Sequence, residues 1–229
     1  MKLSQRLLTA AGFVPPGGVL ADIGADRGEL SYYLLDNSMV ERVILSDISA
    51  KSLNRARELF NATPLADKAE FRVGDGLAIL NPQEADAIVL AGMGGQTIVN
   101  ILSAQPQVSR GAKALVVQAM GNTPQVRRWF QDNGFTITAE SIIWEDGHYY
   151  TIIRGEPGPS QLTDLQLYAG PLLLKRGEPL LKESLCQERA VKAHILQVLT
   201  NKSQGQERQE KLQQELRFLD SLLALLEKG

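Results

Sequence analysis

The stretch Val19-Leu20-Ala21-Asp22-Ile23-Gly24-Ala25-Asp26-Arg27-Gly28-Glu29-Leu30 decides the fold of this 229-residue chain. An apolar run ending in an acid is followed by Gly-x-Asp-x-Gly and by a segment able to begin a helix. This order predicts a buried strand, a tight turn and a helix N-terminus. Glycine lets the backbone pass close under a ligand, and the helix start offers free N–H groups. The stretch therefore predicts the opening of a βαβ nucleotide-binding unit.

The turn itself indicates the charge of the ligand. Asp26 stands where a phosphate-binding dinucleotide loop has its second glycine, so a pyrophosphate would meet a carboxylate. A cationic ligand suits this position, and S-adenosylmethionine, with its sulfonium and amino groups, is one such ligand. A purely structural turn stays open as an alternative, because α/β proteins use glycine in tight turns without any cofactor.

Composition excludes several classes of protein. The chain is 44% hydrophobic and 22% charged, which suits one α/β domain with an appendage. It has no apolar run of roughly eighteen residues and no signal-peptide pattern, so we expect a cytoplasmic protein. A single cysteine, Cys186, and two histidines, His148 and His194, offer no disulfide or metal-site spacing. With a net charge of −2, an RNA site would have to be a local patch.

Strand and helix patterns alternate through the first two thirds of the chain. After the first strand, six further strand patterns cover 42–47, 70–73, 85–90, 113–118, 135–143 and 149–154, with helical patterns at 3–13, 29–37, 49–61, 94–104 and after Thr123-Pro124. Such alternation predicts an α/β fold with a mostly parallel seven-stranded sheet, helices on both faces and a closing antiparallel hairpin.

Acids and glycines follow the predicted strands at their carboxyl ends, where open α/β sheets bind ligands. Asp47 lies 25 residues after Asp22, near the roughly 20-residue offset at which βαβ sites place a carboxylate on ribose hydroxyls. Asp75, between two glycines, can accept from the exocyclic amine of adenine, although an ordinary turn aspartate is the alternative. The run Ala91-Gly92-Met93-Gly94-Gly95 indicates backbone close to a ligand. Together these segments predict an adenosine-type cofactor.

The last third of the chain has a different pattern. Gly155-Glu156-Pro157-Gly158-Pro159 marks a boundary between a domain at 1–157 and a helical domain at 160–229. A heptad seam and a shorter partner seam predict an antiparallel coiled-coil hairpin that turns at 201–205. The heptad seam consists of Leu212, Leu216, Leu219, Leu223 and Leu226, and the partner seam consists of Val191, Ile195 and Val198. A homodimer through the same helices is the alternative to a monomer.

Four motifs carry a resemblance to a known family: Asp22-Ile23-Gly24-Ala25-Asp26, Gly74-Asp75-Gly76-Leu77, Ala91-Gly92-Met93-Gly94-Gly95 and Glu145-Asp146-Gly147. With the opening Leu3-Ser4-Gln5-Arg6-Leu7 and the C-terminal helices, nearly the whole chain resembles the TrmK-type tRNA (adenine-22-N1)-methyltransferase family. The chain departs from that family at Arg27, where a histidine is common, and at Gln118-Ala119-Met120, where Gln-Pro-Asn is usual.

The resemblance implies a class I Rossmann-like methyltransferase domain with S-adenosylmethionine as donor and tRNA as acceptor. It implies a cofactor site made of Asp22, Gly24, Asp26, Gly28, Asp47, Ile48, Asp75, Gly76, Ala91, Gly92 and Met93. A small-molecule methyltransferase and a non-catalytic S-adenosylmethionine-binding module stay open as alternatives.

The resemblance also implies residues for the acceptor. Tyr150 matches the family tyrosine after Glu-Asp-Gly and can stack on an adenine, and Asp26 can receive the N6 proton or orient the amine. The candidate RNA contacts are Arg6, Arg27, Gly94, Gly95, Asn122, Arg127 and Arg128. An ordinary strand aromatic at Tyr150, a purely cofactor-side Asp26 and a solvated arginine pair are the respective alternatives.

Overall fold

The structure, a computed structural model, describes residues 3–61, 63–201 and 205–227. The chain divides into two units, Met1–Gln161 and Leu162–Gly229. The elements of the first unit are α1 (Gln5–Phe13), β1 (Val19–Ile23), α2 (Glu29–Asp36), β2 (Arg42–Asp47), α3 (Ala50–Asn61), β3 (Ala69–Val73), β4 (Ala87–Met93), α4 (Gly95–Ala104), α5 (Pro106–Gly111), β5 (Ala114–Ala119), α6 (Thr123–Asp132), β6 (Phe135–Glu145) and β7 (His148–Pro157).

The seven strands form one sheet in the order β3-β2-β1-β4-β5-β7-β6. Strands β1 to β5 pair in parallel, and β7 is antiparallel to both β5 and β6. The predicted Rossmann-like, mostly parallel seven-stranded sheet is confirmed. Because the strand order reverses between β1 and β4, a ligand crevice is expected outside their carboxyl ends.

Helices cover both faces of the sheet because its central strands are apolar on both sides. Strands β1 and β5 are almost entirely buried, and β2 and β4 are each buried over four consecutive residues. On one face, Leu34 of α2 and Leu53 and Phe60 of α3 join a core cluster with Leu45 of β2. Helices α4 and α6 pack against each other, and their buried side chains include Leu102. This burial holds the carboxyl ends of the strands at one edge.

Two features of this unit differ from the sequence-based expectation. Strand β4 continues to Met93 instead of ending at residue 90, because a bulge lets the glycine-rich run stay in the sheet. A short additional helix, α5, follows α4 and begins at Pro106, where the missing N–H of proline costs little.

The second unit is helical and consists of α7 (Asp164–Ala169), α8 (Pro171–Arg176), α9 (Pro179–Asn201) and α10 (Gln206–Leu226). Helices α9 and α10 run antiparallel and are joined by the pairs Lys192–Glu215 and Arg189–Asp220. Most of the predicted turn at 201–205 lies outside the described residues. Within the described helices, none is long and apolar enough to cross a membrane.

The predicted partner seam on α9 is wrong at two of its three residues. Val191 and Val198 are 54% and 38% exposed. The buried stripe of α9 starts at Leu181 and Leu185, and helical spacing continues it through Lys192 rather than Val191. On α10, Leu212, Leu219 and Leu222 are buried. Coiled-coil packing of the two helices stays a prediction.

Candidate active site

Two cavities lie side by side at the carboxyl edge of the sheet. The first, here called the Asp47 cavity, has a volume of about 460 Å³ and is lined from the ends of β1, β2, β3 and β4. The second, the Tyr150 cavity, has a volume of about 470 Å³ and is lined from α1, the β1–α2 turn, β4 and β7. Both are lined by Gly24, Ala91 and Gly92. The predicted cofactor loop therefore lies between two adjoining spaces.

Most of the predicted cofactor residues line these cavities. The Asp47 cavity is lined by Gly24, Asp47, Ile48, Asp75, Gly76, Ala91, Gly92 and Met93. Asp22 and Asp26 line the Tyr150 cavity instead. The strand ends thus bring the predicted residues together, with the ribose and adenine candidates on one side and the two acids of the first motif on the other.

The carboxylate of Asp47 is held in place by backbone donors. Its Oδ1 accepts from the N–H of Ser49 at 2.8 Å, and its Oδ2 accepts from the N–H of Asp26 at 3.4 Å. Each carboxylate oxygen has a further acceptor position, so the group can still receive the two hydroxyls of a ribose. Beside it, the buried Oγ of Ser46 has no hydrogen-bond partner among the described residues. Both groups suit a polar ligand in the Asp47 cavity.

Asp22 is a buried acid in the wall of the Tyr150 cavity. It is 4% exposed and accepts a hydrogen bond from the Oγ of Ser31 at 2.7 Å. Burial raises the pKa of Asp22 from 3.8 to about 6, the Ser31 bond opposes the shift, and the charge of Asp47 adds to it. A cationic ligand group would relieve this cost by pairing with the ionised form.

Asp26 is exposed at the mouth of the same cavity. Its backbone adopts a positive φ of +46°, and its carboxylate lies 3.9 Å from Arg55 with 61% of the side chain exposed. Aspartate tolerates this left-handed conformation better than most residues. The carboxylate therefore faces solvent and the cavity, where it is accessible to a bound molecule.

Gly92 forms a β-bulge in strand β4. It is the extra residue between the pairs Ala91↔Gln118 and Met93↔Ala119, and its φ is +75°. Its N–H donates to the Oε1 of Gln118 at 3.0 Å, and the same oxygen accepts from the Nη1 of Arg6 at 3.0 Å. The Nε2 of Gln118 is buried and has no partner within the described chain. One buried amide thus supports both the bulge and Arg6.

Arg6 connects helix α1 to the hairpin of β6 and β7. Its Nε lies 3.4 Å from the Oε2 of Glu145, whose Oε1 accepts from the N–H of Gln5 at 2.6 Å. The guanidinium carbon of Arg6 is 5.7 Å from the ring centroid of Tyr150. These contacts close one wall of the Tyr150 cavity with residues that are far apart in the chain.

Sequence reasoning gave neither Gln118 nor Glu145 a specific role, although it predicted that the segments 118–122 and 145–150 border the opening for the acceptor base. A signal for Gln118 was present, because it is a polar side chain in the fully buried strand β5, and such a group needs a hydrogen-bond partner. Glu145 belongs to the motif Glu-Asp-Gly, but its contact with α1 depends on tertiary structure.

The prediction that Arg127 contacts RNA is wrong. The side chain of Arg127 is 1% exposed, and its Nε lies 2.7 Å from the Oε1 of buried Glu140. The apolar stripe of α6, which includes Val126 and Phe130, packs inward, and Arg127 lies beside it on the buried side of the helix. A guanidinium enclosed in this way does not reach a phosphate. Arg128, one position on, is exposed.

Two predicted glycines serve packing. A Cβ on Gly28 would lie 2.7 Å from Leu45, and this buried glycine lines neither cavity within the described chain. A Cβ on Gly95 would lie 2.6 Å from the carbonyl oxygens of Gly121 and Asn122, where α4 begins. Each glycine allows a close approach of protein to protein, and their predicted ligand contacts stay predictions.

The remaining candidates for RNA contact occupy different positions. Arg27 lines the Tyr150 cavity, with 65% of its side chain exposed. Gly94 and Asn122 are exposed, and each precedes a helix, α4 and α6 respectively. Their roles stay predictions.

Comparison with known proteins agrees with this geometry. Residues 3–153 match the family described as methyltransferase domain. The chain is 28% identical to the tRNA (adenine(22)-N(1))-methyltransferase of Bacillus subtilis, over 100% of this chain and 99% of that protein. The crystal structure of the B. subtilis M1A22 tRNA methyltransferase TrmK superposes with a TM-score of 0.89 at 27% identity, covering 97% of this chain and 99% of the other.

A Streptococcus pneumoniae protein crystallised in complex with S-adenosyl-L-methionine superposes equally well. Its TM-score is 0.89 at 27% identity, and the match covers 97% of this chain and 100% of that one. The acids at the strand ends and the bulged glycine loop suit a methyltransferase site. The matched domain and the full-length relative are both named as methyltransferases. The chain belongs to the methyltransferase domain family and, within it, to the TrmK-type tRNA (adenine-22-N1)-methyltransferases.

Proposed function

We propose that this chain is an S-adenosylmethionine-dependent methyltransferase that modifies N1 of adenine 22 in tRNA, in the cytoplasm. The observation that carries the proposal is the junction of two cavities at Gly24, Ala91 and Gly92. One cavity presents acids suited to an adenosine, and the other opens beside it with room for an acceptor base. The relatives named for this reaction match over the full length of the chain.

The residues present suit S-adenosylmethionine. Asp47 would hold the ribose diol and Asp75 the adenine amine, both in the Asp47 cavity. Asp22 and Asp26 would face the methionine end, where the amino group and the sulfonium are positive. The buried Oγ of Ser46, which has no hydrogen-bond partner among the described residues, offers a further polar contact in the Asp47 cavity.

The transfer needs little acid-base help from the protein. When bound, the cofactor supplies a methyl group on a sulfonium, so the N–C bond forms as the S–C bond breaks and the positive charge moves to the adenine ring. Because N1 of adenine has a free lone pair, the main task of the chain is to align the base and exclude water. N1 lies on the Watson–Crick edge, so the nucleotide must be extruded into the Tyr150 cavity.

Asp26 and Tyr150 are the proposed groups around the acceptor. Asp26 is accessible at the mouth of the cavity, and its carboxylate would stabilise the positive ring or take the N6 proton. Tyr150 would form an aromatic wall for the base, with Arg6 against its ring. Arg27 and Arg128 are exposed and would contact phosphates.

Methyl incorporation into bulk tRNA, set against a panel of small amines, tests the proposal. We expect label in tRNA alone and a 1-methyladenine product at position 22 by mass spectrometry. Asp26→Asn and Tyr150→Ala should both reduce the rate, and Tyr150→Phe should retain it because the ring is kept. Label in the small amines would favour a small-molecule enzyme, and cofactor binding without turnover would favour a binding module.

We also propose that the helical domain at 160–229 contributes to tRNA binding and that the enzyme acts as a monomer. Methylation should fall with added salt as phosphate contacts are lost. Deletion of 160–229 should weaken tRNA binding far more than cofactor binding. Equal loss of tRNA binding and cofactor binding would contradict the role proposed for the helical domain. A dimer measured by light scattering would contradict the proposed monomer.

A further inference from the structure

The tip of the β6–β7 hairpin carries aromatic side chains on both faces. Strands β6 and β7 pair Ile143 with Tyr150 and Trp144 with Tyr149 across the hairpin. Successive residues of a strand point to opposite faces of a sheet. Tyr150 lines the Tyr150 cavity and packs against the core with Ile143, so Trp144 and Tyr149 lie on the opposite face.

The Trp144–Tyr149 pair is open to solvent through Trp144, while Tyr149 is half-buried. The two ring centroids are 4.5 Å apart, and Trp144 is 47% exposed. Trp129 is 7% exposed, and its Nε1 donates to Ser103 at 2.8 Å. Large aromatic side chains that remain exposed in contact with each other indicate a binding surface.

We propose that the Trp144–Tyr149 pair is a stacking surface for an unpaired RNA base next to the nucleotide held in the Tyr150 cavity. This inference rests on the proposed function. Extrusion of one nucleotide leaves its neighbours unstacked, and unstacked RNA bases bind on aromatic side chains. Tyr149 directly precedes Tyr150, so the pair lies at the same hairpin tip as the wall of the acceptor cavity, on the opposite face of the two strands.

Charge at the hairpin tip favours a base over a phosphate as the bound group. Asp146 is exposed in the turn, and Glu145 is already engaged by Gln5 and Arg6. Asp146 has no ion-pair partner in the part of the chain that the structure describes, so it repels a phosphate beside the aromatic pair, whereas the face of a neutral base is tolerated. The contact we propose is therefore stacking, with little dependence on salt at this surface.

Tryptophan fluorescence tests the contact directly, because the chain has two tryptophans and one is buried. Full-length protein with S-adenosylmethionine is titrated with tRNA while emission and acrylamide quenching are recorded and bound tRNA is measured by filter binding. We expect the emission to change and acrylamide access to fall on binding, and Trp144→Phe to remove the response. Bound tRNA with unchanged emission and access would overturn the inference.

Steady-state kinetics separate stacking from a structural role. Trp144→Ala should raise the KM for tRNA roughly tenfold, by the size of one base–aromatic stack, with kcat and cofactor affinity within about twofold. Trp144→Phe should restore most of the KM. The matched control is Val73→Ala, which removes a side chain of similar exposure from β3, outside both cavities among the described residues.

The outcomes distinguish this inference from the proposed function. Wild-type KM in Trp144→Ala, or an equal fall in kcat and cofactor affinity, would overturn the stacking surface while tRNA methylation stands. An effect in Val73→Ala as large as in Trp144→Ala would overturn it as well. Absence of any tRNA methylation by the wild type would overturn the proposed function and the inference together.

Discussion

The Asp47 cavity and the Tyr150 cavity adjoin, but the chain builds them in different ways. The first is formed by residues at the ends of consecutive strands, each placed by its own strand and turn. The second depends on contacts between distant segments, such as the hydrogen bond from the N–H of Gln5 to Glu145, 140 residues later. Local sequence therefore specifies the cofactor side, and the acceptor side depends on the order of the strands.

The largest effect is expected where strand β6 of the hairpin meets α6. Arg127→Leu would leave Glu140 charged and buried, so the free energy of unfolding should fall by about 3–5 kcal/mol. Urea denaturation measures it. The control, Arg128→Leu at an exposed position, should cost less than about 1 kcal/mol. Equal losses in the two variants would contradict the structural assignment of Arg127.

Asp47 tests the cofactor side. Asp47→Ala removes the acceptors that we assign to the ribose diol and should weaken S-adenosylmethionine binding by about 1–3 kcal/mol, measured by titration calorimetry. Asp67→Ala changes an exposed acid outside both cavities and should leave the affinity unchanged. No heat with S-adenosylmethionine but clear binding of a nicotinamide dinucleotide would refute the cofactor assignment.

Gln118 tests the acceptor side. Gln118→Leu removes the oxygen that accepts from the N–H of Gly92 and from the Nη1 of Arg6, so stability should fall by about 1–3 kcal/mol and tRNA methylation should slow. Cofactor affinity should stay within about twofold. Gln118→Glu keeps an acceptor oxygen and should retain more activity. If cofactor affinity fell as much as activity, Gln118 would not act on the acceptor side alone.

Asp22 gives the cofactor side a pH dependence. Because its pKa is raised to about 6, the carboxylate is ionised above that pH and protonated below it. S-adenosylmethionine, which is cationic, should bind roughly tenfold more weakly at pH 5 than at pH 7.5, and Asp22→Asn should flatten the profile. The same shift favours the folded state below pH 4, and this contribution disappears as the pH rises through 6. A steep profile retained in Asp22→Asn would contradict the assignment.

The smallest change is expected at the boundary between the proposed domains. Limited proteolysis should cut first between 158 and 162, after the end of β7 at Pro157 and next to the border of the two structural units. The N-terminal fragment should bind S-adenosylmethionine with unchanged affinity. Initial cleavage inside 20–120 would argue against an independently stable N-terminal domain.

Sequence alone determined the strands, the order of elements along the chain and the acids Asp22, Asp47 and Asp75 at strand ends. Those features follow from apolar periodicity and turn residues, which act over a few positions. The sequence did not show that Arg127 is enclosed or that Gly28 and Gly95 serve packing, because each of these features depends on which segment packs against the residue.

Tertiary structure decided the acceptor side. Gln118 meets Gly92 and Arg6 only because β5 lies beside β4 and α1 packs against the same end of the sheet. The stripe of α9 likewise passes through Lys192 rather than Val191, since a shift of one position on a helix turns a side chain by about 100°. Short-range sequence patterns predict the residues of the Asp47 cavity. The wall of the Tyr150 cavity arises from contacts between segments that come together only on folding.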